Sequence, residues 1–131
     1  MRDHDTYDYA VIRVVPRVER EEFQNVGVVV SCPPRGFLEA RIEFDPARLT
    51  MLDPTLDVDT IRAHLAAIPL ICAGGAAAGE IGLLSQRERF HWITAPRSAV
   101  IQFSPVHTGR CADLDAVLEH LMETMVRPRR G

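Results

Sequence analysis

The sequence NVGVVVSC, at residues 25–32, is apolar without a break from Val26 to Val30. Because successive side chains of a strand point to opposite faces, a strand formed here is apolar on both of them. Strands of this kind lie in the middle of sheets that are covered on both sides. Pro33 and Pro34 follow directly and end the run. We therefore expect residues 25–32 to form a buried central strand.

Two neighbouring segments also predict strands. Residues 9–15 are β-branched and apolar apart from Arg13, and they stop at Pro16. In residues 37–44 apolar and polar side chains alternate, which predicts a strand with one face in water. One face carries Leu38, Ala40, Ile42 and Phe44, and the other carries Glu39, Arg41 and Glu43. The short turn before this segment predicts antiparallel pairing with residues 25–32.

A helix is predicted in the middle of the chain, where the apolar spacing changes from two residues to three or four. Asp57 or Asp59 is positioned to cap its start. Its apolar stripe consists of Val58, Ile61, Leu65 and Ile68. We expect Pro69 to kink this helix or to end its regular part, and Gly74 and Gly75 to stop it.

Five further segments complete the predicted secondary structure. Short helical segments are expected at residues 46–52 and 76–86, and strands at residues 90–94 and 98–103. A last helix is expected over residues 112–126. Its apolar stripe consists of Leu114, Val117, Leu118, Leu121, Met122 and Met125. We expect this stripe to pack on the sheet.

The order of these elements favours one fold class. Strands come first, helices follow, and strands and a helix close the chain, which is typical of α+β rather than of a doubly wound parallel sheet. A chain of 131 residues is close to the commonest domain size. We predict a single α+β domain over residues 1–131, with a largely antiparallel sheet of about five strands and two to three helices packed on it. Residues 1–6 and 128–131 are expected to be flexible ends.

Composition and charge argue against several classes of protein. The formal net charge is −3 and all fifteen basic residues are arginines without a long basic stripe, so nucleic-acid binding is not expected. No apolar run approaches the roughly 18 residues that span a bilayer, so no membrane association is expected. The first residues lack the apolar core of a secretory signal. The prediction is a cytoplasmic protein.

Neither a disulfide framework nor a metal site is expected. Cys32, Cys72 and Cys111 are too widely spaced to form a zinc-binding pattern, and Cys32 and Cys72 lie in apolar stretches. His64 and His91 have no partner at ligand spacing. None of the short motifs for phosphate, dinucleotide, zinc or acyl-enzyme chemistry is present, so no cofactor is expected.

One group of candidate site residues surrounds the first two predicted strands. Arg13 is a charge inside an apolar strand, so it must be paired or emerge at an edge. It is either an anion-binding arginine or half of a structural pair with a carboxylate such as Glu22. Asn25 and Gly27 suit either a β-bulge or a strained strand entry at the start of the central strand. Glu22 is a candidate base or metal ligand, or it caps the loop.

A second group of candidates lies later in the chain. Arg97 and Ser98, within residues 94–98 (TAPRS), can gather donors around an anion, or they belong to a polar hairpin in water. His107 is a candidate acid–base group or an ordinary loop histidine. Because an antiparallel sheet can bring these segments together, we hypothesise that Arg97 and Ser98 meet Arg13 in an anion site.

Four segments resemble a known family. They are residues 9–16 (YAVIRVVP), 21–30 (EEFQNVGVVV), 89–98 (RFHWITAPRS) and 106–109 (VHTG). Together they resemble, in order, the bacterial family catalogued as domain of unknown function 3037. The positions that match are Arg13, Pro16, Glu22, Phe23, Asn25, Gly27, Arg97, Ser98 and Gly109. The resemblance implies a standalone bacterial protein without an established activity, often encoded beside HipA-like kinases.

Two functions remain open at this point. In the first, the chain is a small non-catalytic accessory or binding module that acts with a partner protein, such as a HipA-like kinase, or that self-associates. In the second, it is a small enzyme or an anion-ligand-binding protein that uses Arg13, Arg97 and Ser98, with Glu22 or His107 for proton transfer. If Arg13, Glu22, Asn25 and Arg97 line one open cleft, the second function is favoured. If they are paired with one another and closed off, the first function is favoured.

Overall fold

The computed structural model describes residues 4–17, 22–95 and 100–128. The strands in these ranges are Asp5–Arg17 (β1), Glu22–Cys32 (β2), Phe37–Ile42 (β3), Ile101–Phe103 (β4) and His107–Cys111 (β5). The α-helices are Pro46–Leu52 (α1), Val58–Ala73 (α2), Gln86–Thr94 (α3) and Leu114–Leu121 (α4). A 3₁₀ helix, Ala76–Leu83, precedes α3, and a π-turn, Met122–Val126, continues α4.

The five strands form one antiparallel sheet. Their order is β3-β2-β1-β4, and β5 also pairs with β1. Because β1 is 13 residues long, one of its edges holds two short strands, β5 against residues 5–9 and β4 against residues 12–14. The predicted α+β fold with a largely antiparallel sheet is thus confirmed. Residues 5 and 6, which we expected in a flexible end, pair with β5.

The sheet separates two apolar clusters. The first cluster lies between one face of the sheet and the helices α1, α2 and α3. The helices contribute to it Leu49, Ile61, Leu65, Ile68, Phe90 and Ile93. The other face packs against α4 and the π-turn through Leu114, Leu118, Leu121, Met122 and Val126. From Val26 to Cys32 every residue of β2 is buried, as expected of a strand that is covered on both faces.

A β-bulge interrupts the pairing of β1 with β2. Ile12 pairs with Gly27 and Arg13 pairs with Asn25, so Val26 is an extra residue on β2. The bulge predicted at Asn25 and Gly27 is therefore confirmed. Directly paired residues of two strands share a face of the sheet, so Asn25 lies on the same face as Arg13. This is the face that α4 covers.

The prediction of a strand at residues 90–94 is wrong, since these residues belong to α3. The helix begins with a reciprocal capping box in which the Ser85 side chain accepts from the backbone of Glu88 and the Glu88 carboxylate accepts from the backbone of Ser85. Phe90 and Ile93 then face the sheet three residues apart and are buried. The cap and this burial outweigh the β propensity of the aromatic and β-branched residues.

Other boundaries also differ from the sequence-based expectation. Of the strand expected at residues 98–103, residues 101–103 form β4, and residues 98 and 99 lie outside the described ranges. β5 was not predicted. Asp57 caps α2 as expected, and the helix continues beyond Pro69 to Ala73 before Gly74 ends it. No single helix in the described ranges is long and apolar enough to cross a membrane; α2 and the following 3₁₀ helix reach that length together, but with a bend of 66°.

Arg127, after the π-turn, connects α4 to the segment that follows β3. Its guanidinium forms ion pairs with Glu43, after β3, at 2.6 Å and with Glu119 of α4 at 2.6 Å. The pKa of Glu43 and the pKa of Glu119 are both lowered, and the main cause in each case is the hydrogen bond that the carboxylate accepts from Arg127. Because the folded-state pKa values lie below the unfolded ones, these pairs stabilise the fold above the unfolded pKa of about 4.3.

A pH dependence of stability follows from this cluster. As the pH falls through the lowered pKa values of Glu43 and Glu119, the stabilisation by Arg127 is lost, so urea midpoints should drop between about pH 5 and about pH 2. Arg127→Gln should be less stable than the wild type at neutral pH and should lose part of this acid sensitivity. Urea titrations of both proteins across this range test it. Parallel pH profiles for the two proteins would contradict the prediction.

Candidate functional site

Arg13 lies on β1 among apolar residues and contacts an aromatic ring. The Cζ atom of its guanidinium is 4.4 Å from the centroid of the Phe23 ring, a cation–π distance. Its Nε atom is buried and has no hydrogen-bond partner, and within the described ranges no ion pair of Arg13 is found. Glu22, the carboxylate expected beside it, begins β2 opposite Arg17. Among the described residues, the contact that Arg13 forms is the stacking on Phe23 rather than the expected ion pair with Glu22.

Asn25 lies directly opposite Arg13 and connects β2 to the end of the last helix. Its Nδ2 atom donates a hydrogen bond of 2.8 Å to the carbonyl oxygen of Met125. Its Oδ1 atom, like the Nε atom of Arg13, is buried without a hydrogen-bond partner in the described part of the chain. Two partly buried side chains therefore each keep one unused hydrogen-bonding atom.

Two apolar residues that contact Arg13 and Asn25 are exposed at the surface. Phe23, which stacks on Arg13, is 48% exposed, and Met125, whose carbonyl oxygen accepts from Asn25, is 41% exposed. We call the group formed by Arg13, Phe23, Asn25 and Met125 the Arg13 surface. Phe23 is among the residues that match the resembled family, but its sequence context did not otherwise indicate a role.

The remaining predicted site residues do not join this group within the described structure. His107 begins β5 and pairs with Tyr9, and the centroids of the two rings are 5.3 Å apart. Arg13 is four residues further along β1 than Tyr9, or about 13 Å at 3.3 Å per residue. Arg97 and Ser98 lie outside the described ranges, so their meeting with Arg13 stays a prediction.

A polar cleft that the sequence did not predict lies between α3 and the sheet. Its volume is about 530 Å³. Its polar lining consists of Asp8, Ser31, Arg87, His91 and Thr94. Arg87, His91 and Thr94 are four and three residues apart, so they share one face of a helix. Because a strand was predicted at residues 90–94, this helical spacing was not recognised. The capping motif at residues 85–88 (SQRE) was the signal that predicts a helix here.

An apolar groove lies beside this cleft, between α2, α3 and β4. It encloses about 350 Å³ and is lined mainly by apolar side chains, including Ile68, Ile71, Ile93, Ile101 and Phe103. His64 and Trp92 also border it. Ala95, just after α3, lines both the groove and the polar cleft. The face of the sheet that packs on α2 and α3 therefore carries two neighbouring concave surfaces.

The cysteines are poor candidates for chemistry. All three are free and buried. Burial raises the pKa of the Cys72 thiol to about 12 even though Arg89 is nearby, so the thiol stays protonated at neutral pH. Burial likewise raises the pKa of Cys111. Across the described ranges, no three His, Cys, Asp or Glu residues are grouped as metal ligands would be.

A comparison with known proteins places the chain in a family. The family model described as protein of unknown function (DUF3037) matches residues 9–126, which is nearly the whole chain. The chain belongs to this family, and the resemblance noted from its four segments is confirmed. The comparison with curated proteins and the comparison with solved structures each gave no match.

Proposed function

We propose that this member of the DUF3037 family is a small non-catalytic binding module that acts with a partner protein and docks on it through the Arg13 surface. The observation that carries the proposal is an arginine that stacks on a half-exposed phenylalanine and forms no ion pair within the described ranges. Arg, Phe and Met are the residue types enriched where proteins bind each other. Three of the four residues of the Arg13 surface are of these types.

The chemistry of the partner follows from the charge of Arg13. A carboxylate can accept two parallel hydrogen bonds from one guanidinium. Because the Nε atom of Arg13 is buried, these bonds would come from the two terminal nitrogen atoms of the guanidinium. Phe23 and Met125 would lose exposed apolar area at the same time, which favours association. We infer that the partner presents an Asp, a Glu or a chain terminus next to apolar side chains.

The family resemblance suggests one class of partner. Members of the resembled family are often encoded beside HipA-like kinases, and a kinase of this class in the cytoplasm is the partner that we propose. The small size of the module suits an accessory role. Self-association through the same surface is the competing arrangement.

Binding to the purified kinase tests the proposal. Arg13→Gln should weaken the complex by about tenfold or more, since it removes the charge-assisted pair, and Phe23→Ser should weaken it as well. Arg13→Lys should not restore full affinity, because lysine lacks the planar fork. Met51→Ser is the matched control, since Met51 is 85% exposed on α1 and outside the Arg13 surface. Calorimetry measures the affinities, and light scattering of the free protein reports self-association.

Two results would overturn the proposal. One is an affinity that Met51→Ser reduces as much as Arg13→Gln does. The other is a wild-type protein that is monomeric and does not bind the kinase. In that case the anion-ligand alternative gains support if phosphate, nucleotides or small carboxylates raise the melting temperature of the wild type but not of Arg97→Ala.

A further inference from the structure

The polar cleft has two opposing walls with charges of opposite sign. Asp8 stands on β1, and its Oδ1 atom accepts a hydrogen bond of 2.7 Å from the hydroxyl of Thr108 on β5. Arg87 and His91 stand on α3, on the other side of the cleft. The hydrogen bond from Thr108 holds the carboxylate in place on the sheet. The cleft thus places the Asp8 carboxylate opposite the Arg87 guanidinium and the His91 imidazole.

These charges do not neutralise each other. Among the described residues, neither Arg87 nor His91 forms an ion pair with Asp8, although all three line the same cleft. Opposite charges that share a cleft attract each other, and closing the gap would form a salt bridge. The open arrangement instead leaves room between them for a ligand that carries both signs of charge.

The cleft also has an apolar lining, and its walls are connected by hydrogen bonds. The buried side chain of Phe90 lines it together with Pro33 and Val106. The Nε2 atom of Gln86 donates hydrogen bonds to the hydroxyl of Ser31, at 3.3 Å, and to the carbonyl oxygen of Phe37, at 2.8 Å. These bonds fasten the start of α3 to β2 and β3, so the two walls are held at a set separation.

We propose that this cleft binds a small zwitterion, an α-amino acid with an apolar side chain. Its ammonium group donates to Asp8, and its carboxylate accepts from Arg87 and His91. Its apolar side chain covers Phe90 and Val106. A volume of about 530 Å³ is within the range of clefts that hold small ligands. The site is separate from the Arg13 surface, which lies on the face of the sheet that packs against α4.

Calorimetric titration with L-phenylalanine and L-leucine tests this site, together with two blocked analogues. N-acetyl-L-phenylalanine lacks the ammonium charge, and L-phenylalanine amide lacks the carboxylate. Each analogue should bind the wild type about tenfold more weakly than phenylalanine or worse, because one charge of the cleft is left without its partner. Asp8→Asn keeps an oxygen that can accept from Thr108, so the variant is expected to fold.

The variants should separate the two charged contacts. Asp8→Asn should bind phenylalanine and its N-acetyl derivative with similar affinity, because the ammonium contact is already lost. Arg87→Gln should likewise cease to distinguish phenylalanine from its amide. Asp115→Asn and Arg62→Gln, exposed changes on α4 and α2 outside the cleft, should bind as the wild type does. No binding of either amino acid at millimolar concentration, or equal binding of the blocked analogues by the wild type, would overturn the proposal.

Discussion

Replacing Gly27 with alanine is expected to lower the free energy of unfolding by about 1–3 kcal/mol or more, which is a large part of the stability of a small domain. A Cβ atom added at Gly27 would lie 2.5 Å from the backbone oxygen of Arg41 on β3. It would also lie 3.0 Å from Cγ1 of Ile42. Because the closest atom belongs to the backbone, a change of side-chain rotamer cannot relieve the clash.

The position of Gly27 in the sheet makes this clash costly. The residue is at the bulge of β2, where it pairs with Ile12 on one side and with Ile42 on the other. Moving β2 away from Arg41 would disturb both ladders and the buried clusters on both faces. A small shift of β2 that made room for the new methyl group would therefore lower the stability of the fold.

Urea denaturation followed by circular dichroism measures the effect of Gly27→Ala. Gly36→Asn is the matched control, since Gly36 has a left-handed φ of 61° and no atoms within 4 Å of an added Cβ. Asparagine tolerates that backbone conformation better than most residues, so the control should change stability little. A Gly27→Ala protein with the urea midpoint of the wild type would show that β2 can move away from β3 at no cost.

The centre of the fold was predictable because its pattern does not depend on distant partners. A strand that is apolar on both faces has to be buried, and residues 25–32 carry that pattern. The alternation of residues 37–44 and the cap at Asp57 are equally local signals. They placed β2, β3 and α2 correctly without knowledge of the rest of the chain.

The errors arose where tertiary contacts decide the structure. Residues 90–94 have strand-like side chains, but the cap at Ser85 and the burial of Phe90 and Ile93 make them helical. β5 contains polar residues and a glycine, so it carries no strand pattern of its own. It forms because residues 5–9 of β1 have a free side on which it can pair. Gly109 permits this pairing, since a Cβ atom there would lie 2.5 Å from the hydroxyl oxygen of Tyr7.

For the candidate sites too, features of a single segment were predictable from the sequence, whereas features that depend on tertiary contacts were not. Arg13 was identifiable as an unusual charge in an apolar strand, and it is indeed partly buried. Its stacking on Phe23 depends on the register that the bulge creates, which the sequence does not specify. The polar cleft was missed entirely, since Arg87 and His91 share a face only if residues 86–94 are a helix.

At the end of the last helix, the buried residues also differ from those predicted. Met125 was expected on the apolar stripe, but the π-turn adds a residue to the last turn, so Val126 is buried and Met125 is 41% exposed. The position of Leu118 is unaffected, because it lies within the regular part of α4. Its side chain is fully buried, with 0% exposure, among residues of β1 and β2.

Leu118→Ala is accordingly expected to lower the free energy of unfolding by about 2–5 kcal/mol. The substitution removes buried apolar contacts and leaves a cavity between α4 and β2, which cannot close fully because β2 is also held from its other face. Chemical denaturation of the wild type and the variant gives the difference. Met125→Ala is the control: it removes a half-exposed side chain of the Arg13 surface, so it should weaken partner binding more than stability. A loss below about 0.5 kcal/mol for Leu118→Ala would mean that α4 does not pack on the sheet through this stripe.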